Sequence, residues 1–143
     1  MKKSLVAVFC FYISVYSGNL LAEGDFIASK LESVVSAHIA ATTKETESLD
    51  DLMKTMHTES PAYMQIKMQM EQVLPAFDMN VSLVEFKFIG IDGDYAIARV
   101  KMKMEKVSGP MFQDHISDQF FVFKQEQGQW KLWQAAMLDM ESL

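Results

Sequence analysis

YAIARVKMKMEKV (Tyr95–Val107), HISDQFFVFKQ (His115–Gln125) and QWKLWQAAMLDM (Gln129–Met140) follow one another across short connections, and their reading decides the fold. Each reads as a strand of 11 to 13 residues, where about 5 to 6 is usual. An antiparallel sheet of such strands twists and bends, and it needs a layer of helices in its concave face. The chain before Tyr95 supplies them. The expected fold class is therefore α+β, a cone-like curved antiparallel sheet of about four to six strands packed on three amino-terminal helices.

The first of these helices runs from Phe26 to about Ala41, where Ile27, Leu31, Val34, Val35 and Ile39 recur at helical spacing and His38 lies on their apolar edge. Ser48 is the natural cap of a second, short helix through Met56, with Asp50 and Asp51 in its favourable first turn. Ser60 followed by Pro61 signals the start of a third, running to about Leu74. Its apolar stripe is Tyr63, Ile66, Met70, Val73, Leu74 and Phe77. The period then changes to two. Val84, Phe86 and Phe88 alternate with Glu85 and Lys87, as in a half-buried strand that ends at Ile91.

Two hairpins set the faces of the sheet. With Asp92-Gly93-Asp94 as a three-residue loop, Phe88, Phe86 and Val84 oppose Ala98, Val100 and Met102, and Lys87 and Glu85 oppose Arg99 and Lys101. With Glu126-Gln127-Gly128 as the last loop, Val122 pairs with Leu132, Phe120 with Gln134 and Asp118 with Ala136. That register turns Asp118, Phe120, Trp130 and Gln134 inward. It leaves Phe121, Phe123 and Trp133 on the outer side, where a second copy of the protein is the simplest cover, giving a homodimer.

Met1, Lys2 and Lys3, the apolar run Leu5–Val15 and the small residue Ala22 read as a secretory signal peptide over residues 1–22. The run is shorter than the roughly 20 residues a spanning helix needs. The expected location is periplasmic or secreted, with no stable membrane insertion, and residues 23–143 form one domain. Cleavage removes Lys2 and Lys3 and leaves 11 bases against 19 acids, a net charge of −8. Nucleic acid and anionic membrane surfaces are poor partners for such a chain. The single cysteine, Cys10, lies within the leader, so disulfides, thiol catalysis and cysteine-held metal are excluded from the mature chain.

Three helices, the Gly93-Asp94-Tyr95-Ala96 entry into a long strand and the hairpin ending Gly128-Gln129-Trp130-Lys131-Leu132 together resemble the nuclear transport factor 2-like (NTF2-like) superfamily, which includes the ketosteroid isomerases and polyketide cyclases. Ser60-Pro61-Ala62-Tyr63, and Ser108-Gly109-Pro110 with Phe112 and Asp114, resemble features of one bacterial branch. The resemblance covers nearly all of residues 26–140. It implies a cone-shaped, often dimeric domain with an open-ended pocket, on a scaffold that hosts both enzymes and binding modules.

An isomerase-like site needs a carboxylate base facing hydrogen-bond donors in an apolar cavity, and the nearest equivalents here are Asp118 with Tyr63 and His38. The plainer reading makes them a strand-end acid paired with a base, a packing residue and a satisfied core histidine. Twelve methionines and three histidines invite a metal, but Met68 and Met70 diverge around a helix and Met53, Met56 and His57 read as core filling, so no metal or cofactor is expected. The methionines fit a binding pocket better. Met64, Met70 and Met102 adapt to irregular apolar molecules, and Phe86, Phe88, Phe120 and Trp130 make the same cavity greasy. The expected binding set is His38, Tyr63, Met102, Phe120, Trp130 and Gln134, for a small apolar molecule. An enzyme based on Asp118 and a structural interaction module are the alternatives.

Overall fold

The computed structural model describes the backbone of residues 5–143 and the side chains of residues 22–143. The leader read over residues 1–22 thus lies, apart from Ala22, outside the described side chains. Three helices, α1 (Leu5–Thr42), α2 (Leu49–Lys54) and α3 (Tyr63–Val73), precede four strands, β1 (Asp78–Asp92), β2 (Tyr95–Ser108), β3 (His115–Glu126) and β4 (Gln129–Ser142). The strands form one antiparallel sheet in the order β1-β2-β3-β4. Among the described residues no helix is long and apolar enough to cross a membrane.

Alternation along β2 sorts the faces. Ala96, Ala98, Val100 and Met102 are buried under the helices, whereas Tyr95, Ile97 and Arg99 are exposed. Leu31, Val35 and Ile39, one helical turn apart on α1, supply the other half of the core. Small residues make room for rings: Ala98 sits between Phe88 of β1 and Phe121 of β3, and Ala96 lies beside the fully buried Phe123.

Both edges of the sheet are partly covered, which blocks strand addition there. On the β1 side the Lys44 amide donates to Met79 O at 2.7 Å and Thr43 Oγ1 to Val81 O at 3.2 Å. On the β4 side the segment after α2 runs alongside Leu132, whose amide donates to Thr55 O at 2.8 Å and whose carbonyl accepts from His57 N at 2.9 Å. Ser60 extends this seam by donating Oγ to Trp133 O at 2.5 Å while accepting from the Ala62 amide. The α-helix itself begins at Tyr63, with Ala62 at its N-cap position, later than the Ser60-Pro61 signal implies. Ser48 does cap α2, accepting from the Asp51 amide at 3.2 Å.

The two hairpins depart from expectation in opposite ways. Asp92 pairs with Tyr95, so the first turn is the two residues Gly93 and Asp94, yet Phe88↔Ala98, Phe86↔Val100 and Lys87↔Arg99 all form as expected. A bulge at Ile89 absorbs the extra residue. A further bulge at Val84 puts Leu83, not Val84, opposite Met102. In the last hairpin Glu126 pairs with Gln129, leaving the two-residue turn Gln127 (φ 51°) and Gly128 (φ 76°). Positive φ at both turn residues is the geometry that suits strand twist.

Phe123, not Val122, therefore opposes Leu132, and the faces of β3 exchange relative to the expected register. Phe121 and Phe123 are buried inward, so neither can belong to the expected dimer interface. Phe120 and Asp118 lie on the outer side. A bulge at Trp133 also sets Gln134 opposite Val122, exposed on that outer side.

Candidate functional site

Beyond the packed aromatic rings, the sheet and helices enclose a cavity of about 400 Å³. Its walls come from α1 (His38, Ile39, Thr42), α2 (Leu52), one side of α3 (Ile66, Gln69, Met70, Val73) with Leu74 just after it, β1 (Met79, Val81) and β2 (Met102, Met104). Phe77 and Phe112 close one end, in edge contact at 6.2 Å between ring centres. Gly109 makes that closure possible. At φ 118° a Cβ there would stand 2.6 Å from Ala76 O, so only glycine lets the β2–β3 loop lie against the exit of α3.

The stripe expected on α3 is real but only half-buried: no residue of α3 is fully buried, Tyr63 and Ile66 pack against the core, and Ile66, Met70 and Val73 wall the cavity. No lysine, arginine, aspartate or glutamate lines the cavity, and its polar side chains are His38, Thr42 and Gln69. Thr42 spends its hydroxyl proton on Ile39 O at 2.8 Å.

His38 is more informative. Thr55 Oγ1 donates its one proton to Leu52 O at 2.6 Å, so at its 2.8 Å contact with His38 Nδ1 it must accept. Nδ1 therefore carries the imidazole proton and Nε2 presents a lone pair. Burial pushes the His38 pKa down from 6.5 to about 4, which keeps the ring neutral at pH 7. Phe121 braces it edge-on at 6.3 Å. Among the described residues no group bonds Nε2, and His38 is one of the three polar side chains in the cavity wall.

A family described as anti-sigma-I factor RsgI9, C-terminal domain, matches residues 33–143. The chain belongs to this family. No curated protein sequence matches it. Solved structures show that this chain has the NTF2-like fold. A candidate aromatic ring hydroxylase from Novosphingobium aromaticivorans superposes with a TM-score of 0.65 at 14% identity, over 81% of this chain and 92% of that one. A candidate dehydratase of the NTF2-like family from Streptomyces avermitilis gives 0.63 at 14%, over 78% and 94%. A hexachlorocyclohexane dehydrochlorinase, LinA type 2, gives 0.52 at 13%, over 80% and 87%. At such identities the likeness speaks for the fold alone, and the fold is the one the strand and hairpin motifs resembled.

Within this domain the residues singled out from sequence separate. His38 and Met102 line the cavity together. Tyr63 borders a neighbouring, more polar hollow with Lys67 and Glu126. Trp130 is buried under α1 beside Val34 and Ala37, while Phe120 and Gln134 lie on the outer side of the sheet. Met64 is 62% exposed on the far side of α3.

Asp118 is also outside the cavity, on the outer face, where Arg99 Nε and Nη2 grip its carboxylate at 2.8 and 2.5 Å. These hydrogen bonds hold its carboxyl below the usual carboxylate range. It is the paired strand acid of the plainer reading. His57 is likewise satisfied: Nδ1 accepts from the Glu59 amide at 3.1 Å and Nε2 bonds Gln125 O at 3.3 Å. Trp133 meets it edge-on at 5.0 Å. Among the described residues no group of histidine, cysteine, aspartate or glutamate side chains could hold a metal ion.

The sequence reading missed Gln69, Phe77 and Phe112 as cavity residues. Gln69 lies one helical step from Ile66, so spacing could have found it. Phe112 comes from a loop, where no periodicity applies.

Proposed function

We propose that this protein is an exported binding or accessory domain whose cavity takes a small, mostly apolar molecule. One observation carries the reading. A cavity of about 400 Å³ with no charged residue in its wall sits where four methionines, Met70, Met79, Met102 and Met104, can adapt to an occupant. The enzyme alternative loses its base, because Asp118 faces away from this space and is engaged by Arg99. A family named for a domain of an anti-sigma factor also suits a sensing or accessory role better than turnover. Export rests on the leader at residues 1–22, and a second copy is the cover we propose for the outer face, where Ile97 is 39% exposed and Phe120 and Val122 are half-buried.

Met102→Trp tests the pocket. The larger ring should occupy the void while the protein stays folded by circular dichroism, and titration with N-phenyl-1-naphthylamine should show affinity at least about tenfold weaker than wild type. Equal binding by the two proteins would remove the cavity as the ligand site.

A further inference from the structure

The wall of the cavity restricts what it can hold. With no cationic side chain present, a carboxylate or phosphate would lose its hydration without a counter-charge, and with no acid present an ammonium ion would fare as badly. The occupant must be neutral. It must also satisfy one particular atom. His38 Nδ1 is committed as a donor to Thr55, whose own proton is committed to Leu52 O, so Nε2 can only accept. That chain of two bonds also fixes the ring's position, since Thr55 is buried and anchored beside the sheet through its backbone bond with Leu132.

Building on the pocket reading above, we infer that the cavity selects neutral apolar molecules bearing a hydroxyl group, an alcohol or a phenol, and that this hydroxyl donates its proton to Nε2 of His38. Methionine thioethers and the rings of Phe77 and Phe112 surround the rest of the molecule. Ketones and ethers of the same shape offer only acceptors and leave Nε2 facing another lone pair. The low pKa of His38 keeps the acceptor uncharged through the physiological range, so the preference does not invert near neutral pH.

The test uses a matched pair of probes, 2-naphthol and 2-methoxynaphthalene, titrated by fluorescence into wild type and His38→Phe. The phenyl ring keeps the volume and removes the nitrogen. His38→Phe should weaken 2-naphthol about fivefold to tenfold while moving 2-methoxynaphthalene less than about twofold, a coupling that cancels the different water solubilities of the probes. Equal effects on both probes would overturn the hydroxyl assignment and leave the pocket standing. Failure of wild type to bind either probe would count against the pocket itself. Should His38→Phe not fold, the ¹⁵N resonance of His38 Nε2 in wild type replaces it: a shift on adding 2-naphthol but not 2-methoxynaphthalene supports the assignment, and an identical response to both refutes it.

Discussion

The two ends of the inner sheet face are built from different materials. At one end, near the start of β2, the rigid rings of Phe121, Phe123 and Trp130 cluster with Leu132, Met56 and Leu31 and Val35 of α1, and small Ala96 and Ala98 lie beside the two phenylalanines. At the other, near the end of β2, Met102 and Met104 face Met70 and Ile66 of α3 across open space. The difference teaches where this domain keeps its stability and where it keeps room. Buried rings set beside alanines fill a volume, whereas a helix with no fully buried residue walls a volume without filling it.

The contrast can be broken from the filled end first. Phe123→Ala removes a fully buried ring and should cost about 4 kcal/mol in urea unfolding, whereas Met70→Ala, which only enlarges an existing void, should cost about 1 kcal/mol. Comparable losses would mean that the two ends are equally packed.

The next effect belongs to His38, which joins the ends by touching both Phe121 and the cavity. Its pKa is lowered from 6.5 to about 4, so between these values the unfolded chain binds the extra proton. Stability contributed by the neutral ring is complete above about pH 6.5 and is lost as pH falls towards 4, a total of about 3 kcal/mol. His38→Phe should flatten that part of the unfolding profile. The pair Arg99–Asp118 acts at lower pH, because the depressed carboxyl of Asp118 stays ionised through this window.

The smallest expected effect on folding sharpens the comparison from outside. Phe120→Glu places a charge on the outer face, away from both ends, and should leave the circular dichroism spectrum of the folded protein unchanged, any loss of stability being only that of the dissociated dimer. It should nevertheless convert a wild-type dimer into a monomer in sedimentation. A wild type that sediments as a monomer would leave the outer face without its proposed partner.

Strand positions were legible because long apolar runs bounded by Gly93 and Gly128 have few other readings, and the stripe on α1 was legible from its spacing. The faces of β3 were not. One residue of slip inverts every side chain of a strand, and the slip depended on Gln127 adopting φ 51°, a conformation its side chain does not advertise. The first hairpin escaped the same error only because the bulge at Ile89 cancelled the shorter turn. His38 was visible as a histidine on an apolar edge, but its role needed Thr55, 17 positions away in sequence, to fix which nitrogen carries the proton.

Local chemistry was therefore enough for the α+β class, the order of elements, the cap at Ser48 and the apolar side of each helix, because propensity, capping and periodicity act over a few residues. Which face of the last hairpin is inside, whether Asp118 meets a ligand or Arg99, and whether α3 fills the cone or roofs a void were decided only in the folded molecule. Each depends on how distant segments meet: a turn that sets register, a guanidinium brought across from the neighbouring strand, and a helix exit against which Gly109 lets the β2–β3 loop lie.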